Sequence, residues 1–162
     1  MDACQNENIS KVSQLLTSPD IDVNFQDLFG RTAFFWACAQ SNIEIVKMML
    51  NHENVNINQP DKTHTTPLMA LCYWGEIEIV ERILVSGKEI NLNATDRYGE
   101  KAIDRAKKYP NEHEGKCDQR KTGCPKIVHL LESFQNDPEK TRIELEKKLG
   151  STIFFFFFFF FN

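Results

Sequence analysis

Positive charge is the first thing this chain of 162 residues has too little of. Lys and Arg number 19 against 23 Asp and Glu, a formal charge of -4. Both signs are mixed along the chain and no basic stripe forms. That argues against a phosphate-neutralising face, so nucleic acid is not expected as a partner. The opening "MDACQNENIS" has no apolar core of the kind a secretory signal needs. A reducing compartment, cytoplasm or nucleus, is therefore expected, and the glycosylation triplets at Asn8 and Asn93 carry no weight there. A glycine-rich phosphate loop and a His-Glu-x-x-His pair are both missing. Lys121-Thr122-Gly123 resembles a serine-hydrolase fragment without its partners. The chain is accordingly read as non-enzymatic, with no cofactor.

Long apolar runs are also absent, with one exception. Of the 13 Phe, eight stand unbroken from Phe154 to Phe161, yet mean hydropathy stays negative. Counted from Ile153 the run has nine residues, whereas a spanning helix needs about 20. It has no polar face and no Lys or Arg beyond it. Residues 151–162 are therefore read as a low-complexity tail rather than a membrane anchor, and removing them is expected to leave folding intact.

What the chain does have is an echo. "DLFGRTAFFWACAQSNIEIVKMML" begins at Asp27 and "DKTHTTPLMALCYWGEIEIVERIL" begins at Asp61, a period of 34 residues. Asp27 matches Asp61 and, with one residue added, Asp96. Ala3-Cys4, Ala37-Cys38 and Leu71-Cys72 share a register. Ile43-Glu44-Ile45-Val46 matches Ile77-Glu78-Ile79-Val80, and Ile127-Val128-His129-Leu130-Leu131 is a later copy. Self-similarity at such a period signals a stack of repeated supersecondary units.

Each unit reads as two short helices and a turn. Thr32 and Thr66 are placed to cap the first helix, and Pro67 sits just inside it, where a missing N–H costs nothing. The second helix carries Ile45, Met48 and Met49, or Ile79, Ile83 and Leu84, on one face. "VNIN" or "INLN" follows, then Asp and, in two units, Gly30 or Gly99. That order predicts an extended arm and a tight turn.

The pattern resembles the ankyrin repeat, whose units run D-x-x-G-x-T-P-L-H-x-A, a second helix with I-V-x-x-L-L, and a turn ending in Asn. "TTPLMALCYWGEIEIVERIL" is the closest match, and the resemblance spans residues 2 to 134. The tetratricopeptide repeat shares the period but lacks the Asn/Asp arm, and its signature is absent here. Departures are local. Phe35, Met69 and Asp104 stand where the family has His, so that residue's bond to the turn is lost. His64 replaces the turn glycine, and Lys101-Ala102 replaces Thr-Pro. The fold implied is an all-α solenoid of stacked helix pairs with short β-turn arms. About four units occupy 1–135, the first clipped and the fourth carrying a polar surface loop at about 111–125. A helix over 136–150 follows, with Glu144 and Lys148 paired on it.

Five cysteines raise metal and redox readings. Cys4, Cys38 and Cys72 hold one register position and are read as small core residues. His113, Cys117, Cys124 and His129 form a valid zinc donor set at an unusual spacing. The alternative reading is a mobile loop with two exposed thiols, and no metal is assigned.

In the ankyrin family partners dock on turn tips and on the exposed end of the first helix. Carried to this chain, the resemblance implies Leu28, Phe29, Arg31, Ala39 and Gln40 in the second unit. It implies Lys62, Thr63, Thr65, Tyr73 and Trp74 in the third, and Arg97, Tyr98 and Glu100 in the fourth. Aromatic rings and arginines dominate interface hot spots. The chosen protein-binding set is therefore Phe29, Arg31, Gln40, Thr63, Tyr73, Trp74, Arg97 and Tyr98. The function implied is a monomeric scaffold for a protein partner. The alternatives are a regulatory ankyrin fragment of a larger protein whose effector domain is absent here, a zinc-binding function of the 111–125 loop, or a membrane-associated tail.

Overall fold

The structure, a computed structural model, describes residues 1–108 and 118–150. Nine helices and no strand are found among the described residues. They run α1 (Asp2–Gln5), α2 (Ile9–Leu16), α3 (Ala33–Ala39), α4 (Ile43–Leu50), α5 (Pro67–Trp74), α6 (Ile77–Val85), α7 (Ala102–Lys107), α8 (Asp118–Asn136) and α9 (Pro138–Leu149). First helices α1, α3, α5 and α7 pack in one row, and second helices α2, α4, α6 and α8 in another. The result is the expected all-α solenoid. No described helix is long and apolar enough to cross a membrane.

The helix starts follow from capping chemistry. The Thr32 hydroxyl accepts from Phe35 N at 3.1 Å and Thr66 from Met69 N at 3.3 Å. Asn42 and Asn8 do the same for α4 and α2. Each satisfies one of the donors that a helix N-terminus leaves open. The core lies between the two rows. Ile45, Val46 and Met49 of α4 fill it with Ile79, Val80, Ile83 and Leu84 of α6, and Ile127 and Leu131 of α8. Cys4, Cys38 and Cys72 are buried at equivalent places on successive first helices, as free thiols. Burial pushes the Cys38 and Cys72 thiols far up, which keeps them from acting as nucleophiles.

Between units the arms form a ladder of asparagines. Asn24 Nδ2 donates to Asn54 O, and its Oδ1 accepts from Asn56 N. Asn58 repeats this one unit on, with Glu89 O and Asn91 N. An amide side chain has one donor group and one acceptor, so a single Asn ties two backbone groups of the next arm. Lys88 Nζ donates to His52 O and Glu53 O just beyond the C-terminus of α4, where a cation also complements the helix dipole.

The fourth unit departs from expectation. The polar stretch over 111–125 is not all loop, because α8 already begins at Asp118 and contains Pro125. Packing overrides the local signals there. Gly123 lies against the Gly75 carbonyl so closely that a Cβ on it would sit 2.0 Å from that oxygen. Cys124 is buried, its thiol donating to Cys72 O at 3.4 Å. The remainder of the expected loop, 109–117, and the tail over 151–162 lie outside the described residues.

Helix α9 closes the end of the stack against α6 and α8. The expected Glu144–Lys148 pair gives way to a longer-range one. Lys148 reaches across to Glu81 of α6, a carboxylate buried beneath α9 rather than facing solvent. Arg142 Nε donates to Leu84 O at 3.2 Å, and its guanidinium lies over the Phe134 ring.

Candidate functional site: the turn-tip groove

Three turns of one construction support the site. In each, an Asp side chain accepts backbone N–H groups two and four residues on. Asp27 Oδ1 takes Phe29 N at 2.8 Å and Arg31 N at 2.9 Å. Asp61 Oδ1 takes Thr63 N and Thr65 N at 2.8 and 3.0 Å, and Asp96 Oδ1 takes Tyr98 N and Glu100 N at the same distances. Two backbone bonds close each turn, such as Asp27 N to Arg31 O at 3.0 Å and Gly30 N to Asp27 O at 2.9 Å. The fourth residue carries a positive φ: Gly30 +78°, His64 +61°, Gly99 +78°. Successive tips are tied by Lys62 N to Phe29 O at 2.9 Å and Arg97 N to Thr63 O at 3.2 Å.

A second carboxylate bond makes up for the missing family histidine. Asp27 Oδ2 accepts from Trp36 Nε1 at 2.9 Å, and Asp96 Oδ2 accepts from Arg105 Nε at 3.1 Å and from Arg105 Nη2. Both donors stand nine positions after their Asp, one position past the family's His. Burial pushes the Asp27 and Asp96 carboxyls up. Backbone and side-chain donors and the neighbouring arginines outweigh it and hold both below the ordinary carboxylate value. At the His position itself, Asp104 Oδ2 accepts from Lys101 N at 2.9 Å and so caps α7.

Beside these turns runs an open groove of about 500 Å³. Of the chosen set, Arg31, Thr63, Tyr73, Trp74, Arg97 and Tyr98 line it. Phe29 stands at its edge, with the Arg31 guanidinium 5.4 Å from its ring. Gln40 is exposed at the C-cap of α3, outside the groove. The sequence reading missed Phe35, Asp61, Ala70 and Arg105, which also line the groove. The repeated nine-residue spacing from Asp27 to Trp36 and from Asp96 to Arg105 was a usable signal for Arg105.

The groove concentrates exposed apolar surface. Tyr98 is 76% exposed, Phe29 63% and Trp74 50%, with Leu28 at the neighbouring tip 86% exposed. Tyr73 and Trp74 meet edge to face at 5.3 Å between centroids. Among the described residues the other exposed large apolar side chains, Ile9, Ile21 and Phe25, belong to the first unit and its arm.

The zinc donor set is not drawn together among the described residues. Cys124 is buried against α5 and His129 is exposed, while His113 and Cys117 lie outside the described residues.

A family model of ankyrin repeats in three copies matches residues 1–96, more than half of the chain. The chain belongs to the ankyrin-repeat family. Its helix pairs, Asp turns and Asn arms are those of that family's units. The crystal structure of EF0377, an ankyrin repeat protein, is similar at 26% identity and a TM-score of 0.60. The likeness covers 65% of this chain and 52% of that one, so the chain spans about half of that protein's length. In all, 318 solved chains resemble it, so the architecture is too common to specify a partner. No curated protein matches the chain.

Proposed function

We propose that this ankyrin-repeat chain is a non-catalytic scaffold that docks a protein partner in the turn-tip groove. One observation carries the reading: six side chains chosen from three units line a single groove. Among them Trp74 and Tyr98 are at least half exposed. Contiguous exposed aromatic surface on a soluble domain marks an interaction site. The platform is also pre-organised. Inter-turn hydrogen bonds and the asparagine ladder hold the tips, so little ordering entropy opposes docking. Ankyrin repeats in general mediate protein–protein contact, which agrees with this assignment.

Replacing Tyr73 and Trp74 together by Ala tests it. Partner capture from a cell extract is expected to vanish, while far-UV circular dichroism stays close to wild type. Both rings lie at the exposed end of α5 rather than in the core between the helix rows. Unfolding of the double variant, or undiminished capture by a folded one, contradicts the assignment.

A further inference from the structure

The chain is acidic overall, yet of the three arginines that line the groove only Arg105 is paired with a described carboxylate, that of Asp96. Arg31 and Arg97 form no ion pair with any described residue. The three turn carboxylates hold other hydrogen-bond donors, and Arg31 acts on Asp27 through its charge without an ion-pair contact. Asp27 accepts from two backbone N–H groups and Trp36, Asp61 from its own turn, and Asp96 from Arg105. Arg31 is the more specific feature. Its guanidinium is held 5.0–5.5 Å from the rings of Trp36, Phe29 and Phe35, and its Nε is buried without a hydrogen-bond partner among the described residues. A guanidinium pinned by rings is a pre-organised fork, and its outer Nη groups are the part that a ligand in the groove can reach.

We infer that the groove takes an acidic peptide segment, with one carboxylate on Arg31, a second on Arg97 and an apolar side chain between them against Trp74. This inference rests on the groove being the docking site. Carboxylate suits a planar fork that accepts two parallel bonds, and the surrounding rings lower the local dielectric and strengthen the pair. The spacing follows from the stack. Arg31 and Arg97 belong to turns two units apart, roughly 16–20 Å if each unit adds one helix–helix separation. An extended segment rises about 3.3 Å per residue, so the two carboxylates stand about five or six residues apart.

The probe is a fluorescein-labelled peptide with two glutamates six residues apart around a central leucine, in a Gly-Ser background, read by fluorescence polarisation. It is expected to bind, and its Glu→Gln counterpart at least about tenfold more weakly. Arg97→Gln, an exposed change that leaves the core untouched, is expected to weaken binding by about tenfold. Arg31→Lys keeps the charge but loses the fork, and is expected to weaken it similarly if circular dichroism shows a folded chain. Absence of binding, equal binding of the Gln peptide, or indifference to both arginine changes overturns the carboxylate assignment. Should any of these occur while Tyr73→Ala with Trp74→Ala still abolishes partner capture, the groove reading stands and only the acidic class falls. A glutamate peptide that binds the double aromatic variant unchanged removes the apolar contact and the groove with it.

Discussion

The three equivalent turns provide an internal experiment in backbone strain. Gly30 and Gly99 share a φ of +78°, but a Cβ would meet different surroundings. At Gly99 nothing lies within 4 Å. At Gly30 it would sit 2.8 Å from Lys62 N and 3.2 Å from the Asp61 carbonyl carbon. These are backbone atoms fixed by the bond from Lys62 N to Phe29 O at 2.9 Å, so they cannot swing aside. Gly99→Ala then carries only left-handed strain, about 1–2 kcal/mol, offset by about 0.4–1 kcal/mol from a less flexible unfolded chain. The net loss is about 1 kcal/mol. Gly30→Ala adds overpacking of about 1–3 kcal/mol and totals about 2–4 kcal/mol. In the turn that begins at Asp61 nature has made the opposite choice, since His64 already holds φ at +61°. His64→Gly should therefore stabilise by about 0.5–1 kcal/mol. Urea unfolding followed by circular dichroism reads all three from midpoints at constant slope. Equal losses at Gly30 and Gly99 would refute the close stacking of the Asp27 and Asp61 turns. Destabilisation by His64→Gly would refute the strain argument.

Gly123→Ala should loosen α8 from α5, because a Cβ placed 2.0 Å from Gly75 O forces two backbones apart. A loss of about 3 kcal/mol or more is expected, with faster hydrogen exchange in α8 than in α4, and a loss under 1 kcal/mol would contradict the contact. Asp96→Asn keeps Oδ1 for the two backbone N–H groups but replaces the Oδ2 that accepts from Arg105 by an NH2 donor and removes the charge, at a cost of about 2–3 kcal/mol at neutral pH. Because the folded Asp96 value is lowered from 3.8, its contribution is present above that pH and lost as pH falls through the folded value. Melts below pH 4 should thus show wild type converging on the variant, and a gap that stays constant into acid would exclude the linkage.

Much of this protein was legible because its signals are local and written more than once. The caps Thr32 and Thr66, the Asp turns and the cysteine register each rest on neighbours within one unit, so the 34-residue period exposes them. Six of the eight candidate groove residues come together for the same reason, since stacking like units aligns like positions. Gln40 did not join them, because the groove ends on the α3 side at Ala39.

Tertiary structure alone decided the rest. Pro125 and Gly123 read as loop by their own preferences, yet α8 runs through them because Gly123 and Cys124 seat against α5. Glu81 is a carboxylate in the middle of a short helix, and α9 covers it and brings Lys148 from 67 residues away. Arg105 joins Asp96 and reaches Thr65 in the preceding turn, 40 residues back. In each case the partner is distant in sequence, and the energy gained on contact exceeds a local preference of about 1–3 kcal/mol. A period determined which elements form and how they stack. Which buried polar groups then find each other depended on where the fourth unit and α9 came to rest.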